Sequence, residues 1–270
     1  MNILDEIAAK TKERIQEQKN RVPLPDLIRQ AETRAKGAAS GQTFLEAMKK
    51  TGMSYICEVK KASPSKGLIA PDFPYLKIAG EYEAAGASAI SCLTEPFYFM
   101  GADQYLKEIA NLVTIPVLRK DFTVDEYMIY QAKALGASAV LLICAILDDV
   151  QLRAYRQLAH ELGMDALVEA HDEEEVTRAL DCGARIVGVN NRDLKTFRID
   201  MKNSICLRRM APEDVVFISE SGIRTPADIK ILYENQVDGV LIGETLMKSP
   251  DKKAALEALN GGPLATLASG

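Results

Sequence analysis

Apolar residues fall along this chain in short unbroken runs. Each run follows a stretch of helical spacing and a Gly or Asp turn. EYEAAGASAISCL from 81, QAKALGASAVLLI from 131, AHELGMDALVEA from 159, RALDCGARIVGVN from 178 and YENQVDGVLIG from 233 all repeat that phrase. A helix that ends at Gly and feeds a buried strand is the second half of a βαβ unit. Eight strands are predicted: Tyr55–Lys60, Ala89–Leu93, Ile115–Lys120, Ala139–Ile143, Asp165–Glu169, Arg185–Asn190, Val215–Ser219 and Gly239–Gly243. Helical patterns fill the gaps, as at Asp125–Leu135, Asp148–Leu162, Glu173–Cys182 and Thr225–Glu234. Strand starts recur roughly every 20 to 30 residues, the length of one βα unit. Runs without polar alternation suit parallel strands buried on both faces. The pattern predicts an α/β fold, a (β/α)8 TIM barrel. A doubly wound open sheet is the alternative. It usually carries a phosphate-binding glycine turn after its first strand, and the sequence has none there.

Residues 1–50 precede the first predicted strand. Ile3, Leu4, Ile7 and Ile15 mark an amphipathic helix, Asp26–Lys36 and Thr43–Lys50 suggest two more, and VPLP at 22–25 breaks the pattern. This extension is expected to cover the barrel's floor or flank. The whole chain, 1–270, is expected to be one domain, with a flexible tail over 260–270.

Composition narrows the classes. Apolar residues make up 47% of 270, enough for one sizeable core. The net charge of −5 comes with no basic run, so a nucleic-acid partner is not expected. The longest apolar run, Ala139–Leu147, is too short to span a bilayer. The N-terminus lacks the apolar core of a signal peptide, and a cytoplasmic location is expected. The five cysteines are widely spaced without a CxxC and read as reduced thiols filling core space. Two histidines without clustered ligands give no basis for a metal.

Polar residues at the strand ends carry the chemistry. Residues two apart on a strand share a face. Ile56, Glu58 and Lys60 therefore point one way, Lys120 is in step with Leu118, Glu169 with Leu167, and Asn190 with Gly188. Active sites of such barrels are built at the carboxyl ends of the strands. An unpaired polar group in a core costs several kcal/mol. Convergence of Glu58, Lys60, Lys120, Glu169 and Asn190 thus reads as a site, with mutual neutralisation of Glu58 and Lys60 as the plain structural alternative. Ser221-Gly222 and Gly243-Glu244 follow the last two strands, where such barrels bind phosphate on free backbone N–H groups. The loop after Lys60 can close over a ligand. His160 is expected inside a helix at the surface or in a groove, His171 at a helix start, Glu173–Glu175 as a solvated helical turn, and Arg208-Arg209 at the surface.

The strings EVKKASPSKG, VLRKDF, LLI, ALVEAHDEEE, GVNNRDLKTF, ISESGI and LIGETLM, in that order, resemble the indole-3-glycerol-phosphate synthase family over roughly residues 1 to 258. The resemblance implies ring closure, decarboxylation and dehydration of 1-(2-carboxyphenylamino)-1-deoxyribulose 5-phosphate in tryptophan biosynthesis, with no cofactor. By position, Lys120 matches the acid that protonates the substrate ketone, and Glu169 the acid/base near the departing hydroxyl. Lys60 matches the lysine that binds the substrate carboxylate. Glu58 and Asn190 share its network. Ser63, Ser221, Gly222, Gly243 and Glu244 match phosphate-site positions, and Arg192 and Phe122 line the site. Phe99 and Phe122 suit an aryl ring. A neighbouring Lys60 and partial burial are expected to lower the pKa of Lys120. In TEPFYFMGADQYL, Phe97, Met100 and Ala102 depart from the family pattern and make the loop after the second strand more apolar. The partner implied is a small phosphorylated substrate, with no membrane. The protein is expected to be a monomer, able to associate with other tryptophan-pathway enzymes. At 270 residues a fused second barrel is not expected.

Two rivals stand beside that resemblance. A sugar-phosphate isomerase on the same scaffold would want a Cys/Asp or Asp/Asp pair at the strand ends, and Cys57 is out of step with Glu58. A non-catalytic phosphate-binding protein would have no use for the full polar set.

Overall fold

The computed structural model describes residues 3–37, 41–193 and 196–262. Eight parallel strands close into a barrel: β1 (Ser54–Val59), β2 (Ala89–Leu93), β3 (Val117–Lys120), β4 (Ala139–Ile143), β5 (Asp165–Ala170), β6 (Ile186–Asn190), β7 (Val216–Glu220) and β8 (Gly239–Ile242). Ring closure is made by β1, which pairs with β8 through Ser54↔Gly239 and with β2 through Glu58↔Ser91. The predicted strands are all present, displaced by at most two residues at an end.

Strand alternation divides the core in two. Ile56, Leu118, Leu141, Leu167, Ile186, Ile218 and Leu241 pack inside the ring. Tyr55, Cys57, Val117, Val140, Val168, Val187, Phe217 and Val240 face the surrounding helices. Both faces are apolar, which is why the strands read as unbroken runs. Helices α6 (Glu126–Leu135), α7 (Asp149–Glu161), α8 (Glu173–Asp181) and α10 (Pro226–Glu234) start where the sequence offers Asp125, Asp148, Asp172 and Thr225 as N-caps.

The extension folds as α1 (Ile3–Arg21), α2 (Leu24–Gly37) and α3 (Phe44–Met48). Helix α3 plugs the floor: Leu45 N–H donates to Asp165 Oδ2 at 2.9 Å, and Ser54 Oγ to Met48 O at 3.2 Å. Helix α1 flanks the barrel, and its first turn reaches the opposite mouth, where Ile3, Leu4 and Ile7 line a cavity. The expectation of floor or flank therefore misses one position. The predicted tail lies, from residue 263, outside the described residues. Asn260 still belongs to the last helix, α12 (Lys252–Asn260).

Two other expectations are corrected. Arg208 is buried, because its guanidinium satisfies Gln236 O at 2.6 Å and Ala211 O at 2.8 Å. Cys206 is exposed, unlike the four buried cysteines, since it faces outward on α9 (Lys202–Arg208).

Candidate active site

The inward register delivers the polar residues to one place. Glu58, Lys120, Glu169, Asn190 and Glu220 are each the inward residue closest to the carboxyl end of β1, β3, β5, β6 and β7, and Lys60 stands just past β1. All six line a cavity of about 610 Å³ at the barrel mouth. Ser63, Phe99, Phe122, Arg192, Ser221, Gly222, Gly243 and Glu244 line it too. The thirteen candidate catalytic and substrate-binding residues named from the sequence therefore border one space.

At its centre Lys120 Nζ donates to Glu169 Oε2 at 2.7 Å and to Glu220 Oε2 at 2.8 Å. Asn190 Nδ2 donates to Glu169 Oε1 at 3.4 Å. Lys60 pairs with Glu58. Burial works against the Lys120 charge, but Glu169, Glu220 and Glu58 outweigh it and hold its pKa above the ordinary lysine value. The lowering expected from Lys60 and burial is overturned, because three carboxylates act on Lys120 and two of them hydrogen-bond it. Burial likewise pushes Glu220 up, to about 7, with Lys120 pulling down and Glu169 pushing up. Glu169 suffers the same burial, yet Lys120 and then His171 bring it below its ordinary value. Two carboxylates on one ammonium thus separate into an ionised partner and one that titrates near neutrality.

Glu220 escaped the sequence reading. The predicted strand, Val215–Ser219, stops one residue short of it. The period-two rule had the signal, since Glu220 is in step with Val216 and Ile218. Its Oε1 is buried without a hydrogen-bond partner among the described residues. His171 was placed only at a helix start. Its imidazole lies behind Glu169, with Nε2 3.5 Å from Glu169 Oε1 and Nδ1 3.0 Å from Glu175 Oε2. Glu175 is accordingly half-buried and paired, while Glu173 and Glu174 are the solvated part of that turn.

One side of the cavity is apolar. Phe99 and Phe122 stand 6.2 Å apart between ring centroids, with Ile3, Leu4 and Ile7 nearby in the lining. The chain brings Phe99 there through Glu95, whose buried carboxylate accepts from the N–H groups of Phe97, Tyr98 and Phe99 at 2.9, 2.7 and 3.0 Å. The other side is cationic and rich in turned backbone. Lys66, Arg192, Arg224 and Lys248 border it. Ser221 and Gly222 take left-handed φ of 69° and 91°. Successive N–H groups in such a turn make an anion-binding concavity. Gly243 lies close under the ion pair: a Cβ there would overlap Glu58 Oε1 and come within 2.8 Å of Lys60 Nζ, so both side chains would have to shift. The loop after Lys60 is a small hairpin, Ala62–Ser63 against Gly67–Leu68, and Lys66 at its tip reaches to 3.6 Å of Glu244.

Comparison with known proteins gives the family and the fold. A sequence model described as indole-3-glycerol phosphate synthase matches residues 4–259. Curated relatives bearing that name include one from Ruminiclostridium cellulolyticum, 54% identical over 259 residues, covering 96% of this chain and 99% of the relative. Another, from Lachnoclostridium phytofermentans, is 51% identical over 267 residues, covering 95% and 98%. Among solved structures, a 3-hexulose-6-phosphate synthase superposes with a TM-score of 0.63 at 17% identity, over 77% of this chain and 99% of that one. A tryptophan synthase α-subunit mutant from Pyrococcus furiosus gives 0.59 at 18% identity, over 77% and 98%. At these identities the structural likenesses speak for the barrel fold alone.

Proposed function

Because the chain belongs to the indole-3-glycerol phosphate synthase family, we propose that its mouth cavity carries out that family's reaction. It closes the indole ring of 1-(2-carboxyphenylamino)-1-deoxyribulose 5-phosphate and releases CO2 and water, the work of a decarboxylating lyase in tryptophan biosynthesis. The single observation that carries the residue assignment is the Lys120 ammonium, hydrogen-bonded to Glu169 and Glu220 inside a cavity with one aromatic and one cationic side.

The substrate's ends match those sides. The aryl ring lies against Phe99 and Phe122. The phosphate takes the N–H groups of Ser221, Gly222, Gly243 and Glu244, with Ser63 and the side chain of Arg192 near. Binding both ends folds a flexible chain so that aryl carbon and ketone meet. The ring carbon that bears the carboxylate then attacks the ketone carbon, and the ketone oxygen takes a proton from Lys120 as the carbon–carbon bond forms. A lysine whose pKa is held high stays charged until the oxygen becomes strongly basic, so it stabilises the developing alkoxide before it gives up its proton. Glu220, titrating near neutrality, can return that proton. Loss of CO2 returns the bonding pair to the ring. The hydroxyl then departs as water, which needs a proton on oxygen and a base for the adjacent carbon. Lys60 and Glu169 are assigned to that pair, with Glu58 holding Lys60 and Asn190 holding Glu169. Lys60 also receives the substrate carboxylate before it is lost.

The test uses the synthetic substrate and the fluorescence of the indole product. Lys120→Ala should lower kcat about a thousandfold, the scale of a lost general acid together with lost charge stabilisation, while circular dichroism stays native. Turnover within tenfold of the wild type would overturn the assignment. Product mass separates this reaction from an isomerisation, which keeps the mass of its substrate. With the reading go a monomer and a cytoplasmic location, to be checked by sedimentation and fractionation. Among the described residues no helix is long and apolar enough to cross a membrane.

A further inference from the structure

Four buried side-chain polar atoms lack a hydrogen-bond partner among the described residues, and two of them, Glu220 Oε1 and His171 Nε2, lie at or just behind the site. An orphaned nitrogen of that kind is costly unless charge compensates for it. His171 Nε2 faces Glu169 Oε1 at 3.5 Å, longer than a hydrogen bond but within ion-pair range. On the other side of the ring, Glu175 Oε2 lies 3.0 Å from Nδ1 and also accepts the His171 backbone N–H at 2.8 Å. The ring is further fixed through its backbone, since Asn203 Nδ2 donates to His171 O at 2.9 Å. Elements β5, α8 and α9 thus meet on this one residue.

We infer that His171 is a positioning residue for the reaction: as an imidazolium strung between Glu175 and Glu169, it keeps Glu169 anionic and aimed at Lys120. The inference rests on the ring-closure reading above and deepens it. Glu169 Oε2 is taken by Lys120, so the bridge works on Oε1, which Asn190 shares at 3.4 Å. The charged and titratable groups around His171 are Glu169 on β5, Glu175 on α8 and Glu220 on β7. Lys120 on β3 answers Glu169 from the far side, and Arg178 and Cys144 stand near Glu175. Glu169 and Glu175 on either side of the imidazole favour its charged form, and Glu220 adds to them when it ionises. Burial opposes this, yet the Glu175 hydrogen bond with Glu169, Glu175 and Glu220 leaves the histidine raised above its ordinary value. The consequence lies with Glu220. A second positive charge on Glu169 leaves the exchangeable proton of the pair on Glu220, the carboxyl assigned to recharge Lys120. His171 lies outside the residues that line the cavity, so it acts without touching substrate.

The experiment has two readouts. The chain has two histidines, the other being the exposed His160, so the imidazole signals of the intact protein can be assigned with one variant and followed by NMR against pH. His171 should titrate above the ordinary imidazole value of about 6.5, and Glu175→Gln should move that midpoint down. A midpoint at or below the ordinary value would overturn the bridge. In the second readout, His171→Gln should lower kcat about tenfold with KM within twofold. The acidic limb of its kcat profile should move up by about one pH unit, the scale of one lost charge contact. A pH profile superimposable on the wild type, with only the melting temperature reduced, would make His171 a structural plug and overturn the inference. The titration needs no substrate, so failure of the wild type to close the indole ring would strike the reaction assigned above and leave the bridge to be judged on its own result.

Discussion

At the scale of the residue, the site is an argument about where a proton rests. Lys120 holds two carboxylates that are chemically alike and electrostatically unlike. Glu169 has Lys120, Asn190 and His171 around it, whereas Glu220 has Lys120 and an unpartnered oxygen. That asymmetry has a thermodynamic signature. Glu220 moves from an ordinary 4.5 up to about 7 on folding, through burial first. A carboxyl with a raised folded pKa stabilises the fold while it is protonated. Its contribution is complete below about pH 4.5 and fades as pH climbs through about 7. Glu169 has the opposite sign, contributing above its ordinary value and losing the contribution as pH falls through its lowered folded value. The two windows do not overlap, so they can be separated. The melting temperature of the wild type should fall between pH 5 and pH 8 by an increment that Glu220→Gln abolishes. An unchanged slope in the variant would show that Glu220 is not the group that titrates.

At the scale of the element, the N-terminal helix is tied to the chemistry by one buried network. Asp121, the residue after Lys120, accepts Arg14 of α1 at 2.9 Å on both oxygens and Thr94 Oγ1 at 2.5 Å, and Arg119 stands 3.5 Å away. Arg119 itself is buried and reaches Asp103 at 2.8 Å and Met128 O at 2.9 Å. Burial would raise Asp121, but Arg14 and Arg119 hold it below the ordinary aspartate value. The same helix carries Ile3, Leu4 and Ile7 to the cavity. Arg14→Ala should therefore act twice. Leaving Asp121 short of its bidentate partner should cost about 3 kcal/mol, the lower end for breaking a buried pair. It should also raise KM several-fold by loosening the apolar wall, and chemical denaturation beside steady-state kinetics reads both. None of this network was visible in the sequence, whereas the strands and helix starts were. A strand buried on both faces and a helix opened by Asp125 or Asp148 announce themselves within ten residues. Asp121 lies 107 positions from Arg14, and Gln236 lies 28 from Arg208. No local pattern carries them, so a buried arginine reads as a surface one. Glu220 is different, because period-two spacing held its position and only the turn-like Ser-Gly after it hid it.

At the scale of the whole molecule, the barrel separates stability from chemistry along its axis, and one strand shows both ends. Asp165 and Glu169 lie on the same inward face of β5, four residues apart, and both are buried. At the floor, Asp165 accepts the Leu45 N–H at 2.9 Å and Arg185 Nη2 at 2.9 Å, so it joins the α3 plug to β6. At the mouth, Glu169 accepts from Lys120 and Asn190. The polar residues at the two ends look alike in sequence, and the helical plug decides which end is closed. Asp165→Ala should cost about 2 kcal/mol, the range for hydrogen bonds to a charged group, and leave kcat and KM near their wild-type values. Glu169→Gln keeps the volume and removes the charge. It should lower kcat by two or more orders of magnitude and take away the stability its charge contributes at neutral pH, while the fold persists because Lys120 keeps Glu220 as its counter-ion. If Asp165→Ala were the one to abolish turnover, the two ends would be coupled through the strand, and the assignment of chemistry to the carboxyl end alone would fail.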